Sequence, residues 1–299
     1  LMLKKLTIPL LSVALTLAAA QASLAETVME KVARTGVLTV GADLNAIPYS
    51  YINDKEELDG YTVGMLDLVR EALSQRLGKP VKVEYVTVGD IKDRITKLLT
   101  YEADMVCDTA FTWTRDQFVD FSVAYGVSEV RLLVPKNSSL GSPASLEGKR
   151  IGVLPMSVSE KAVKLAQPKA TLVPFNTFEE AVLALQSGKV DGVAGDSVLL
   201  DGLRQKVGFT DSQLVPENPY ARYGGACMMR QYDPSFVRLV NFTIVKMMEN
   251  YLAGDPTTTA MINRWFGPDG VVRVDPQDIR MFFGYTVTSY EPIPPDGKP

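Results

Sequence analysis

The sequence predicts an α/β protein built as two lobes. Three observations carry this prediction. The chain has 299 residues, long for a single compact core. Short β-branched apolar runs alternate with helix-patterned segments in its first half, the signature of a largely parallel sheet with helices packed on it. The same alternation starts again near residue 150. Two similar halves leave a cleft between them, a usual place for a small ligand.

The first 25 residues stand apart. Lys4 and Lys5 precede an apolar run over residues 6–20, and Ser23 and Ala25 supply the small residues a signal peptidase reads. This pattern predicts a secretory signal peptide cut after Ala25 and a mature protein in the periplasm. The alternative is a retained anchor, but the run is short for a membrane span.

The mature part opens with a helix over residues 26–34, stopped by Gly36, and a strand over 37–41. Residues 43–51 read as a loop with one proline and two tyrosines. A turn at Asp59-Gly60 leads to a helix over 63–77 that ends at Gly78. Residues 81–86 alternate as a strand, 90–99 form a helix capped by Asp90, and 104–107 form a third strand.

The second alternation follows a strand over 130–134, ended by Pro135, and a loop over 140–148. Strands are expected over 151–154, 171–174 and 190–194, and helices over 159–165, 178–186 and 197–205. Pro216 and Pro219 interrupt this order. A strand over 224–229 and helices over 234–251 and 257–266 complete the chain, and the proline-rich residues 291–299 are expected to be disordered.

Composition narrows the function classes. The net charge of -4 does not suggest a nucleic-acid partner. With no histidine, a His-based triad, a His general base and a His-ligated metal are all excluded. No nucleophile–base pair, phosphate loop or metal cluster is legible, so neither catalysis nor a cofactor or metal is expected.

The stretch 107–122, CDTAFTWTRDQFVDFS, sets Arg115 among Thr109, Thr112 and Thr114 at the end of an apolar strand. A planar guanidinium with hydroxyls at short reach suits a carboxylate. A polar surface loop reads equally well. The two cysteines, Cys107 and Cys227, lie in apolar strand-like runs, and an exported protein permits either a bridge or two buried thiols.

Several segments taken in order carry a resemblance: GVLTVGADLNAIPYSY, Gly60-Tyr61, DMVCDTAFTWTRDQFVDFSVAY, LEGKRIGV, FEEAVLALQSGKVDGVAGDSVLL, YGGACMMR and INRWF. From about residue 36 to 266 the chain resembles the extracellular solute-binding proteins, family 3, of amino-acid ABC transporters, and most closely their glutamate/aspartate-binding-like branch. The resemblance implies a type II periplasmic binding-protein fold with two crossover hinge strands, near 128–131 and 219–223, closing on a ligand by hinge motion. Lobe 1 would be residues 26–128 plus 221–290, and lobe 2 residues 129–220. Both cysteines match cysteines of that branch, which implies a Cys107–Cys227 disulfide.

The resemblance also implies a site. Arg115 matches the arginine that pairs with the ligand α-carboxylate, and Thr109 and Thr112 match hydroxyl positions around it. The loop is one residue shorter than in that branch, and Asp108 stands where the branch has glycine. Lobe 2 would add Ser157 and the Val158 N–H at a helix N-terminus, where free amides favour an anion. Met156 replaces a glycine there. Asp196 matches the aspartate that takes the α-ammonium, with an N-cap as its alternative role. Asp43 stands where acidic-ligand relatives carry a basic residue, which favours a polar or basic side chain. Ala46 replaces an aromatic, and Tyr49 is either cavity wall or core packing.

The expected function is capture of a small-molecule amino acid for a membrane permease, by a monomer. The alternatives are a cyclohexadienyl/arogenate dehydratase-like enzyme on the same fold, with Asp196 or Asp43 as acid, and an amino-acid sensor domain.

Overall fold

The computed structural model describes residues 26–290. The expected signal peptide and disordered tail lie outside the described residues. From the N-terminus come α1 (Val28–Thr35), β1 (Val37–Ala42), the short strands β2 (Asn45–Ala46), β3 (Ser50–Ile52) and β4 (Leu58–Asp59), α2 (Tyr61–Leu77), β5 (Lys82–Thr87), α3 (Ile91–Leu99), β6 (Met105–Ala110), α4 (Trp113–Asp116) and β7 (Asp120–Phe121). The middle gives β8 (Gly126–Pro135), β9 (Arg150–Val153), α5 (Val158–Ala166), β10 (Thr171–Pro174), α6 (Phe178–Gln186), β11 (Gly192–Asp196), α7 (Ser197–Lys206) and β12 (Ser212–Val215). The chain closes with β13 (Ala221–Met229), α8 (Pro234–Leu252), α9 (Pro256–Asn263) and α10 (Pro276–Tyr290).

Local chemistry explains most helix starts. Thr27 and Glu30 form a capping box on α1. Asp90, Ser157, Thr177, Asp196, Asp233 and Asp255 each accept backbone N–H bonds at the N-terminus of the helix that follows.

The sheet runs β10-β9-β11-β8-β13-β6-β1-β5. Its two central strands, β8 and β13, lie antiparallel from Ala221↔Val130 to Gly225↔Gly126. On one side of them stand β6, β1 and β5, with β1 parallel to both β5 and β6; on the other stand β11, β9 and β10. The apolar cores divide the same way. One large cluster runs from Val28 to Val287 and includes Tyr61, Met105, Cys227 and Phe236; a smaller one holds Val88, Leu98, Val106 and Met228. Two others, around Leu133, Val193 and Leu200 and around Leu132, Ile151 and Val163, draw only on the middle of the chain. The lobes are therefore separate hydrophobic units that share two long strands.

Among the features that depart from the sequence reading, three stand out. Residues 43–51 are not a plain loop, because β2, β3 and β4 pair antiparallel into a small second sheet. Strand β6 extends to Ala110, three residues past the expected end, because Thr109 and Ala110 pair with Ala226 and Gly225 of β13. The chain also carries α10, whose Ile279, Phe283 and Val287 recur every four residues and bury into the core against α8. The expected disulfide is present: Cys107 and Cys227 are bonded and tie β6 to β13.

Candidate functional site

A cavity opens between the lobes, lined from one side by Asp43, Tyr49, Arg94, Asp108, Thr109 and Arg115, and from the other by Ser157, Val158 and Asp196. Strand ends and helix starts position most of these side chains; Arg94 stands within α3, and Tyr49 lies between β2 and β3.

Arg115 follows Thr112, whose hydroxyl caps the short helix α4 by accepting the Arg115 N–H. The guanidinium folds back into the cleft and is only 7% exposed. Nη1 donates to the Ala110 carbonyl at 2.8 Å, and Nη2 reaches across to the Met156 carbonyl at 3.1 Å. No carboxylate among the described residues forms an ion pair with it. Burial and the neighbouring Arg94 charge lower its pKa.

Asp108 takes a left-handed backbone conformation with φ 57°, unusual for a residue with a side chain. Its Oδ1 accepts from Thr62 Oγ1 at 2.5 Å and from Tyr125 OH at 2.7 Å. Burial raises its pKa against the lowering effect of these bonds and of Arg94. Met156, on the opposite wall, is also left-handed at φ 61°. Both residues stand where the resemblance has glycine, which is the residue such backbone favours.

Asp196 ends β11 and starts α7. Oδ1 accepts from the Val198 and Leu199 N–H groups, and Oδ2 accepts from Tyr223 OH at 3.0 Å. It caps the helix and lines the cavity at once, and burial raises its pKa. Ser157 similarly caps α5 through Glu160 N at 3.0 Å while lining the cavity. The N–H groups at the start of that helix have no intrahelical acceptor.

Other residues differ from expectation in place or in company. Thr112 is not part of the cavity lining, since its hydroxyl is committed to capping α4. Thr109 does line the cavity, but its hydroxyl donates to the Ala226 carbonyl at 3.1 Å. Tyr49 combines both of its expected roles, packing on Phe266 with ring centroids 5.9 Å apart and facing the cavity. Asp43 lines the cavity beside a cation, because Arg94 Nη2 lies 3.5 Å from its Oδ2.

Arg94 was not singled out from the sequence. A signal existed: Ile91, Arg94, Ile95 and Leu98 share one helical stripe, so a charge sits on the inward face of α3. Tyr125 and Tyr223, which hold Asp108 and Asp196, carried no such signal.

The cavity thus sets a buried guanidinium and helix N–H groups beside several carboxylates, within one enclosure reached from two lobes. Residues 38–165, which hold Asp43, Asp108, Arg115 and Ser157, match the bacterial extracellular solute-binding proteins, family 3. Over these residues the chain is similar to this family.

The match to relatives extends well beyond that segment. The chain is 25% identical to the glutamate/aspartate import solute-binding protein of Escherichia coli (strain K12) over 291 residues, which is 94% of this chain and 93% of that protein. Among solved structures it is similar to an ancestral arginine-binding protein bound to arginine, with a TM-score of 0.68 and 26% identity over 78% of this chain and 99% of the other. The same is true of an ancestral arginine-binding protein bound to glutamine, at TM-score 0.67 and 26% identity over 77% and 97%. The fold is the type II periplasmic binding-protein fold, and a periplasmic location is consistent with the similarity to family 3 solute-binding proteins.

Proposed function

We propose that this protein is a family 3 periplasmic substrate-binding protein that captures an amino acid between its lobes and delivers it to the permease of an ABC importer. One observation carries the reading: Arg115 is a buried guanidinium without a carboxylate partner among the described residues, in the same cavity as Asp196. An amino acid brings one anion and one cation on a single carbon and satisfies both groups.

In this reading Arg115 takes the α-carboxylate, helped by Ser157, the Val158 N–H and, beneath them, Thr109. Asp196 takes the α-ammonium through Oδ2. Asp43, Tyr49 and Asp108 surround the side chain, for which a polar or basic group is favoured. Residues 26–128 with 221–290 form one lobe and 129–220 the other, and they close about β8 and β13. The protein acts as a monomer after its leader is cut at Ala25. Relatives that bind glutamate and aspartate, glutamine or arginine by name support transport over catalysis.

Titration calorimetry with each of the twenty amino acids tests the proposal. Saturable binding of at least one is expected, and binding of none would overturn it.

A further inference from the structure

The remaining charges of the cavity identify the class of side chain, and this inference rests on the amino-acid reading above. With Arg115 and Asp196 assigned to the α groups, the charged lining residues left are Asp43, Asp90, Asp108 and Arg94. Three carboxylates against one guanidinium leave an excess of two negative charges when all are ionised.

The one cation is already engaged. Arg94 donates from Nε to the Gly89 carbonyl at 3.0 Å and from Nη1 to the Cys107 carbonyl at 3.2 Å, and its Nη2 stands 3.5 Å from Asp43 Oδ2. It neutralises Asp43 and is fixed to backbone on its other sides. Asp90 spends Oδ1 on the cap of α3, accepting from Asp93 N at 2.9 Å.

Asp108 differs from these. Thr62 and Tyr125 both donate to its Oδ1, and no donor among the described residues reaches its Oδ2. The carboxylate is held rigidly by two hydroxyls on one oxygen and presents the other to the cavity. It does so from a left-handed backbone that disfavours most side chains. A carboxylate oxygen without a donor from the protein is open to one from the ligand. A ligand carboxylate placed here would add repulsion at short range in a weakly screened cavity.

We propose that the site selects an amino acid with a cationic side chain, of the arginine or lysine type, whose terminal N–H group docks on Asp108 Oδ2, and that it rejects glutamate and aspartate. Asp108 is then the specificity-determining residue of the cavity.

The test is titration calorimetry on the wild type and Asp108→Asn with the twenty amino acids and L-citrulline, which has the shape of arginine without the charge. Asparagine tolerates the left-handed backbone, and its Oδ1 still accepts from Thr62 and Tyr125, so the variant keeps its fold. L-arginine or L-lysine is expected to bind tightest, and L-glutamate not measurably. Citrulline should bind at least about tenfold more weakly than arginine if arginine is the ligand. Asp108→Asn should weaken the cationic ligand by about thirtyfold or more, as removal of one member of a desolvated charge pair does. It should change the affinity of neutral amino acids far less. A neutral or acidic amino acid as the tightest ligand would overturn this inference and leave the amino-acid reading standing. An unchanged affinity of the cationic ligand in Asp108→Asn would overturn the role of Asp108. Binding of no amino acid would overturn the underlying reading instead.

Discussion

Arg115 Nη2 donates to the Met156 carbonyl, 3.1 Å away, and so joins one wall of the cleft to the other. The same guanidinium faces the proposed carboxylate position, and it uses separate nitrogens for Ala110 and Met156. A lysine keeps the charge but not this fork of donors. Arg115→Lys should therefore weaken amino-acid binding by about 3 kcal/mol, roughly a hundredfold. The far-UV circular dichroism spectrum should not change. Near-native affinity in calorimetry would show that the carboxylate is held elsewhere.

In the proposed closure, a residue with no side chain stands at the contact between the lobes. A Cβ on Gly202 of α7 would lie 2.5 Å from the Ile47 carbonyl oxygen, in the segment between β2 and β3. Nearby, Lys206 Nζ donates to Asn45 Oδ1 at 2.8 Å across the same contact. Gly202→Val should hold the lobes apart at this point. If the closed form falls to a tenth of its population, apparent affinity falls about tenfold. Small-angle scattering of the variant at the ligand concentration that half-saturates the wild type should give nearly the radius of gyration of the ligand-free protein. Normal compaction would contradict the contact's role.

Much of this fold is legible in the sequence because its signals are local. Strand and helix order, the Asp90 cap and the stops at Gly36 and Gly78 follow from short-range chemistry. The site is legible in part. Arg115 and Asp196 could be located by motif, but Thr112 could not be excluded, since capping and ligand contact ask for the same hydroxyl. The small β2-β3-β4 sheet has strands of two or three residues, too short for periodicity to register. The environment of Asp108 is set by Thr62 and Tyr125, residues distant in sequence, and only the folded chain brings them to it.

The Cys107–Cys227 bridge lies immediately before Asp108 and crosses from β6 to β13. It closes a long loop, so it should contribute about 2–4 kcal/mol to stability. Complete reduction should lower Tm by several degrees, since each kcal/mol corresponds to about 2–4 °C in a chain of this size. Calorimetric melts with and without reductant, with thiols counted, provide the check. An unchanged Tm in the fully reduced protein would contradict the prediction.

Burial raises the carboxyl pKa values of Asp108 and Asp196 in the ligand-free protein. The folded state then holds protons at these groups that the unfolded chain has released. Stability contributed by this protonation is present below the unfolded carboxyl pKa, about 4, and is lost as pH rises through the raised folded values. Asp108 is faced by Arg94, Asp43, Thr62 and Tyr125; asparagine removes its titration and its attraction to Arg94, and burial outweighs that attraction. Asp108→Asn should therefore raise the Tm of the ligand-free protein at neutral pH, and the gain should vanish below about pH 4. A gain that grows on acidification would reverse the assigned sign.

The central claim is that Arg115 and Asp196 hold the two α groups of an amino acid. Its most direct test is titration calorimetry with the tightest-binding amino acid, its α-carboxamide and its Nα-acetyl derivative. The free amino acid should bind, and each derivative should lose about a hundredfold or more, because each removes one charge from a desolvated pair. Equal binding of either derivative would contradict the account.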